Sequence, residues 1–178
     1  MEVLMKRGYV IWMTGLSGSG KTTIANGLKN KFFEEGRVSI VLDGDITRGG
    51  LNKDLGLSLE DRFENIRRAS EVAKILIDQG IIVICSFITP TNKIRDLIKS
   101  ILKDDVVNVF INTSIELCKK RDPKGLYKKV ESGEIKNFTG IDSPFEIPKN
   151  ADIEIKTDNF SIVYCVNHTY TNIKRIKD

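Results

Sequence analysis

The chain has 178 residues, of which 40% are hydrophobic and 29% are charged, and its formal net charge at pH 7 is +4. A chain of this length suits one domain, which buries about 70% of the surface that the unfolded chain exposes. The charge is small, and Lys and Arg form no dense block, so we expect anionic nucleotides as ligands and no nucleic acid.

The cysteines and the N-terminus indicate a cytoplasmic protein. Cys85, Cys118 and Cys165 are far apart and form no Cys-x-x-Cys pair, so we expect reduced, buried thiols. Met1–Gly8 is too short and too charged for a signal peptide, and no apolar run approaches the roughly 18 residues of a membrane span. The single histidine, His168, lies in the predicted last helix, so any general base must be a carboxylate.

The first predicted strand runs into a glycine-rich turn and then a helix. Val10–Met13 is apolar enough for a buried strand, and Ile24–Glu35 carries apolar residues at helical spacing. Between them, Gly15–Thr22 matches the pattern G-x-x-x-x-G-K-[ST] at every fixed position. The sequence therefore predicts a phosphate-binding loop (P-loop), and the alternative of a turn that binds nothing fits poorly between a strand and a helix.

The chemistry of this loop explains its composition. Glycines let backbone N–H groups approach phosphate oxygens closely, and the first turn of the next helix adds unpaired N–H donors and a positive dipole end. Lys21 would reach the β- and γ-phosphates, and the hydroxyl of Thr22 would ligate Mg²⁺. We therefore expect the chain to bind a nucleoside triphosphate.

The second strand and the next long helix are separated by a polar segment. The second predicted strand is Val38–Leu42, and it ends at Asp43–Asp45. A polar stretch without predicted regular structure continues to Gly56. Ser58 is a predicted N-cap for a helix that ends near Gly80.

Strand and helix patterns continue to alternate after this helix. Ile81–Cys85 is a continuous apolar run, typical of a strand that is covered on both faces. Asn92–Leu102 is the next predicted helix, and Val106–Ile111 is the fourth strand. Thr113 and Glu116 have capping-box spacing for a helix that ends near Arg121.

The last part of the chain contains one segment of different character. Asp122–Pro148 is basic and punctuated by glycines, and its pattern predicts few core residues; both a mobile lid and an ordinary exposed loop have this composition. Ile153–Thr157 is the fifth predicted strand, and Ile162–Ile176 is the closing helix. The alternation predicts a single α/β domain with a five-stranded parallel sheet and helices on both faces.

Ligands of such sheets bind at the carboxyl ends of the strands, where further polar residues are expected. Asp43 and Asp45 supply two carboxylates there, as a base and a ligand to a magnesium-bound water would, although a polar turn has the same composition. Arg62 and Asn65 share one helix face, which could equally be a solvated charged surface.

Taken together, five stretches resemble the adenylyl-sulfate kinases, a P-loop kinase family that phosphorylates the ribose 3′-hydroxyl of adenosine 5′-phosphosulfate (APS) to give PAPS. They are Gly15–Thr23, Leu42–Asp45, Asp61–Arg68, Arg121–Lys129 and Gly133–Asp142. The resemblance covers nearly the whole chain. It implies a P-loop NTPase-type three-layer sandwich over residues 1–178, with a lid at about 122–148, Mg²⁺ as cofactor and a cytoplasmic homodimer as the working form.

The resemblance also implies which residues form the site. Those expected to bind ATP are Gly15, Leu16, Ser17, Gly18, Ser19, Gly20, Lys21, Thr22, Thr23, Arg121 and Thr157. Those expected to bind APS are Asp45, Arg48, Leu57, Arg62, Asn65, Ile88, Thr89, Lys124 and Phe138. Lys21 and Asp43 are the expected catalytic residues, and Thr22 is the expected metal ligand.

The sequence departs from the family pattern in the expected acceptor pocket. Leu57 stands where the family usually has an aromatic residue that pairs with Phe138 around the APS adenine, and the loss of one stacking face costs about 1 kcal/mol. Ile46 stands where asparagine is frequent, Thr89 replaces a serine and Asn92 lies where arginine is common. The sequence therefore leaves two alternatives to APS kinase activity. One is transfer to the 3′-hydroxyl of a different nucleotide conjugate, and the other is a non-catalytic nucleotide-binding module.

Overall fold

Five parallel strands form the central sheet of the structure, a computed structural model that describes residues 7–177. The strands are β1 (Val10–Thr14), β2 (Ser39–Asp43), β3 (Ile82–Ser86), β4 (Val106–Asn112) and β5 (Ile153–Lys156). Their order in the sheet is β2-β3-β1-β4-β5, and every neighbouring pair is parallel. The predicted sheet is confirmed, with strand ends that differ by a residue or two. Most of Met1–Gly8, for which we expected no signal peptide, lies outside the described residues.

Helices cover both faces of this sheet. They are α1 (Lys21–Glu34), α2 (Gly44–Gly49), α3 (Leu59–Asp78), α4 (Asn92–Leu102), α5 (Ile115–Arg121), α6 (Leu126–Glu131) and α7 (Ile162–Lys177). Within residues 7–177, none of them combines the length and the apolar character that crossing a membrane requires.

Alternate side chains of β1 enter two different cores, because successive residues of a strand point to opposite faces. Ile11 and Met13 pack in a cluster with residues of α1 and α7. Val10 and Trp12 pack in a second cluster with residues of α3 and α4. All five residues of β1 are buried, and the same holds for β3, which explains their continuous apolar sequence. The predicted three-layer sandwich is thereby confirmed.

Of two N-caps predicted from the sequence, the structure corrects one and confirms the other. The capping box on Thr113 is wrong by one residue, because the Ser114 hydroxyl accepts the N–H of Leu117 at 3.4 Å as the N-cap of α5. The Thr113 hydroxyl instead donates to the carbonyl of Ser19 at 3.1 Å. The N-cap at Ser58 is confirmed, since its hydroxyl accepts the N–H of Asp61 at 3.0 Å.

Helix α2 was not predicted at all. The polar stretch after β2 begins with this six-residue helix, which Asp43 caps by accepting the N–H of Asp45 at 2.9 Å. The helix starts and ends in glycine, a residue of low helix propensity, so its sequence carries no helical pattern.

The segment at 122–148 is mostly exposed but contributes two buried aromatic rings. It contains α6, and Tyr127 and Phe138 are buried in a third cluster with Leu16 and Cys118. The Tyr127 and Phe138 rings meet edge to face at a centroid distance of 5.0 Å. Tyr127 and Phe138 are the two apolar residues of this segment that are buried, so the expectation of few core residues is confirmed.

Candidate active site

A cavity of about 940 Å³ opens at the carboxyl ends of the strands. It reaches from the loop after β1, past the ends of β2 and β3, to the residues that follow β5. Every residue named above for ATP, APS, metal or catalysis lines it, except Gly15 and Leu16. Leu16 packs in the third cluster, and Gly15 lies against β4, where a Cβ would be 2.6 Å from the carbonyl oxygen of Ile111.

The loop between β1 and α1 is shaped to present backbone N–H groups. Gly20 is the N-cap of α1 and has a φ of 103°, which side-chain-bearing residues rarely adopt. The first turn of α1 contains no acidic residue, so its dipole and unpaired N–H groups are available to an anion. This end of the cavity suits phosphate.

Lys21 is buried in this loop and bonds to it. Its Nζ donates to the carbonyl oxygens of Gly15 at 2.9 Å and Leu16 at 2.7 Å. Burial lowers the pKa of Lys21 to about 8. The ammonium group is thus held within the loop at the point where α1 begins.

Hydroxyl and carboxylate oxygens converge beside Lys21. The Thr22 hydroxyl donates to Oδ2 of Asp43 at 2.8 Å, and its oxygen lies 3.2 Å from Oγ of Ser86. Ser86 is the last residue of β3, and the rule for strand ends places Ser86–Thr89 along this edge, although the sequence analysis gives Ser86 no role in the site. No group of three or more His, Cys, Asp or Glu residues suited to a metal ion occurs within residues 7–177.

Arg62 is a buried cation on α3, with 7% of its surface exposed. Its guanidinium donates to the Thr139 hydroxyl at 2.6 Å, to the Asn137 carbonyl at 2.7 Å and to the Leu57 carbonyl at 2.9 Å. Burial, with Arg48 nearby, lowers the pKa of Arg62 from its usual value. The sequence placed Arg62 correctly at the cavity but did not reveal these partners.

Asn65 is oriented by a residue that the sequence analysis missed. The side-chain amide of Asn52, which is fully buried, donates to Oδ1 of Asn65 at 2.8 Å. Asn52 lies in the polar stretch after α2, where nothing in the sequence distinguishes it from a loop residue.

The segment at 122–148 lines the cavity next to α2. Lys124 forms an ion pair with Asp45, and both side chains are about half exposed. Phe138 is buried against Tyr127, whereas Leu57 is 43% exposed. The expected aromatic pair is therefore replaced by one buried ring and one partly solvated aliphatic side chain.

The far end of the cavity surrounds Arg121. Its guanidinium donates to the Thr157 hydroxyl and the Thr157 carbonyl, each at 3.2 Å. Phe160, Ile162 and Cys165 line the same end and were missed by the sequence analysis. Phe160 follows the last strand, so the strand-end rule would have indicated it.

These features together define the class of protein. The P-loop kinases combine a parallel sheet of this strand order with a glycine-rich loop that carries a buried lysine between β1 and α1. They also have a carboxylate at the end of β2, as Asp43 is here. The comparisons with known proteins then identify the family. The chain belongs to the adenylylsulphate kinase family, whose family model matches residues 7–156.

Curated relatives match almost the full chain. An adenylyl-sulfate kinase of Clostridium acetobutylicum is 50% identical over 176 residues, which cover 99% of this chain and 88% of that protein. Adenylyl-sulfate kinase 3 of Arabidopsis thaliana is 51% identical over 156 residues, which cover 87% of this chain and 75% of that protein.

Solved structures match the fold as well. The APS kinase of Mycobacterium tuberculosis, in complex with AMPPNP and APS, superposes with a TM-score of 0.92 at 44% identity, covering 94% of this chain and 98% of that chain. A gluconokinase of Sinorhizobium meliloti, 15% identical with a TM-score of 0.61, covers 96% of this chain and 94% of its own and shares the fold alone. The predicted P-loop kinase fold and family are therefore confirmed.

Proposed function

We propose that the chain transfers the γ-phosphate of ATP to the ribose 3′-hydroxyl of APS, giving ADP and PAPS. One observation carries the proposal: a single cavity has a phosphate-binding loop at one end and Arg48, Arg62 and Asn65 on the other side of Asp43. A second nucleotide with anionic groups fits this second half. The relatives named adenylyl-sulfate kinase and the similar structure with AMPPNP and APS support the same reaction.

In this proposal, residues 15–23 bind the ATP phosphates. The N–H groups of the loop and of the first turn of α1 face the phosphate oxygens, and Lys21 exchanges its bonds to Gly15 and Leu16 for bonds to phosphate. Arg121 and Thr157 border the adenine, with Phe160 as an additional apolar contact at that end.

The oxygens around Thr22 fit Mg²⁺. The donor set consists of the Thr22 and Ser86 hydroxyls and the Asp43 carboxylate, which are hard oxygen ligands with few protein charges. Mg²⁺ prefers such sites, in which phosphates and waters complete its shell. The ion would neutralise charge on the β- and γ-phosphates when bound, with Thr22 as its protein ligand.

Asp43 is the proposed catalytic carboxylate. One of its oxygens accepts the N–H of Asp45, which fixes the side chain, and the other accepts the Thr22 hydroxyl beside the phosphate-binding loop. A carboxylate held in this way would take the proton of the acceptor hydroxyl as phosphoryl transfer proceeds. Since His168 lies on α7, outside the cavity lining, a carboxylate remains the base we expect.

The acceptor-binding residues are proposed on the same basis. Arg48, Arg62 and Asn65 would bind the anionic and polar groups of APS, with Ile88 and Thr89 along its edge. Asp45, Lys124, Leu57 and Phe138 would enclose it from the side of the lid at 122–148.

Measurement of ADP release with Mg-ATP, with and without APS and beside a panel of other nucleotides, tests the proposal directly. We expect strong stimulation by APS alone, with PAPS as the product. Stimulation by a different nucleotide would overturn the acceptor and favour the alternative conjugate, a reading that the solvated Leu57 and Ile46 leave open. ATP binding without turnover would favour the non-catalytic module.

Several broader properties belong to the same proposal: a single P-loop kinase domain over residues 1–178, a cytoplasmic location, a place in sulfate assimilation and a homodimeric state. A structural neighbour from Thiobacillus denitrificans is described as a hexameric APS kinase, so assembly occurs among similar proteins. Light scattering on the purified chain tests the dimer, since a monomeric mass at assay concentration would contradict it.

Substitution of Leu57 by phenylalanine should tighten APS binding about fivefold, because a second aromatic face opposite Phe138 adds about 1 kcal/mol. The dissociation constant from titration calorimetry is the measurement. Leu51→Phe, at an exposed leucine outside the cavity lining, is the matched control. Unchanged or weaker binding in Leu57→Phe would mean that the pocket is built around leucine.

ATP affinity should depend on pH through Lys21. In the free protein, burial lowers the Lys21 pKa to about 8, and bound phosphates would raise it again. The affinity for ATP is therefore greatest below pH 8, where Lys21 of the free protein is protonated. It falls as the pH rises through that value, by up to about tenfold per pH unit.

Calorimetry between neutral and alkaline pH in buffers of different ionisation enthalpy measures this effect as proton uptake on Mg-ATP binding. In Lys21→Ala, the residual affinity should lose the alkaline decline. Proton release, or the same decline in the variant, would contradict the assignment.

A further inference from the structure

Thr89 has an unusual backbone conformation at the edge of the cavity. Its φ is +49°, in the left-handed region that β-branched residues rarely adopt, and its surface is 1% exposed. Such a conformation persists only where the surroundings hold it. The same turn also contacts the phosphate-binding loop, because the N–H of Gly15 donates to the carbonyl of Ile88 at 3.4 Å.

Two donors hold this turn, one on a buried side chain and one on a partly buried side chain. The indole Nε1 of Trp12 donates to the Thr89 hydroxyl at 2.9 Å. The guanidinium of Arg95, on α4, donates to the Thr89 carbonyl, also at 2.9 Å. The first contact fixes the side chain of Thr89 and the second fixes its backbone.

Arg95 also holds the end of the segment at 122–148. Its guanidinium donates to the Glu146 carbonyl at 2.6 Å and lies 5.5 Å from the ring centroid of Phe145. Glu146 makes reciprocal contacts, since its carboxylate accepts the N–H of Asn92 at 2.7 Å and its N–H donates to the Pro90 carbonyl at 2.8 Å. Residues 89–92 and 145–146 are therefore joined into one unit around Arg95.

We propose that Arg95 is a positioning residue for the acceptor nucleotide. It touches no substrate; it keeps Thr89 in the left-handed conformation and joins that turn to residues 145–146. The pocket edge formed by Ile88 and Thr89 is then preformed before APS arrives, which reduces the ordering cost of binding. The inference rests on the proposed acceptor pocket.

Steady-state kinetics of Arg95→Met tests the role, because methionine keeps an apolar stem but removes all the donors. We expect the KM for APS to rise about tenfold, while kcat and the KM for ATP stay within about twofold. The matched control is Arg67→Met, at an arginine of α3 whose bonds go to Glu64 outside the cavity lining, and all constants should be unchanged there. A KM for APS that matches the control would overturn the inference.

A double-variant cycle separates positioning from general damage. Glycine adopts positive φ without strain, so in a Thr89→Gly background the turn depends less on Arg95. Arg95→Met should therefore raise the KM for APS by a smaller factor in that background. Equal factors in both backgrounds would show that Arg95 does not act through the conformation of Thr89.

A third measurement does not depend on turnover. Trp12 is the only tryptophan, so its indole N–H gives a single resonance that reports on the bond to Thr89. Arg95→Met should shift this resonance, and Arg67→Met should leave it in place. If the unaltered chain fails to use APS, the proposed function fails, while a shift confined to Arg95→Met still supports the positioning of Thr89. An unshifted resonance overturns it.

Discussion

Replacement of Lys21 by alanine should lower APS-dependent turnover by about 10²- to 10³-fold, which is typical for loss of one preorganised charged donor at a reacting phosphate or oxyanion. The fold should survive, because the substitution removes a buried ammonium whose hydrogen bonds go to its own loop, at the carbonyls of Gly15 and Leu16 and the hydroxyl of Ser19. Turnover and the circular dichroism spectrum are the two measurements.

The matched control is Lys29→Ala, at an exposed lysine further along the same helix. Its turnover should equal that of the unaltered chain. Near-normal turnover in Lys21→Ala with a normal spectrum would refute the role of Lys21 in phosphoryl transfer. Loss of the spectrum would instead assign Lys21 to the stability of the loop.

Asp43→Asn should lower kcat by about 10²- to 10⁴-fold and change ATP binding much less, because a general base acts in the transition state. The choice of asparagine preserves the local structure. Asparagine is a good N-cap, so the bond from the N–H of Asp45 that begins α2 can be retained. Separate measurements of kcat and of the ATP dissociation constant distinguish the two effects.

Asp104→Asn serves as the control for this substitution, since the side chain of Asp104 is fully exposed outside the cavity lining. An unchanged kcat in Asp43→Asn would remove Asp43 from the mechanism. An equal loss of ATP affinity and kcat would indicate that Asp43 acts mainly by accepting the 2.8 Å hydrogen bond from the Thr22 hydroxyl.

The fold was predictable because its signals are local. The apolar runs of β1 and β3 are continuous because both faces are covered, and the P-loop motif lies between a strand and a helix that each have a clear pattern. The errors were also local. A short helix with terminal glycines, α2, has no periodicity, and the adjacent Thr113 and Ser114 are equally good caps until the sheet fixes which one faces Ser19.

The residues that line the cavity were predictable from the sequence, but the contacts between them were not. Strand ends and family motifs indicated Asp43, Arg62 and Asn65, and all three line the cavity. Two of the three partners of Arg62 lie 75 and 77 residues away, and Asn52 contacts Asn65 from an irregular stretch. Contacts of this range depend on tertiary packing, which no local pattern encodes.

The buried guanidinium of Arg62 has a consequence for the interpretation of any variant at that position. An arginine carries five N–H groups, and within residues 7–177 three of the Arg62 contacts go to Leu57, Asn137 and Thr139. The donors left over are enough for a two-pronged contact with one anionic group of a nucleotide. If Arg62 binds the acceptor as proposed, it joins distant parts of the chain and also contacts the ligand, so the kinetic constants of an Arg62 variant would measure two losses at once.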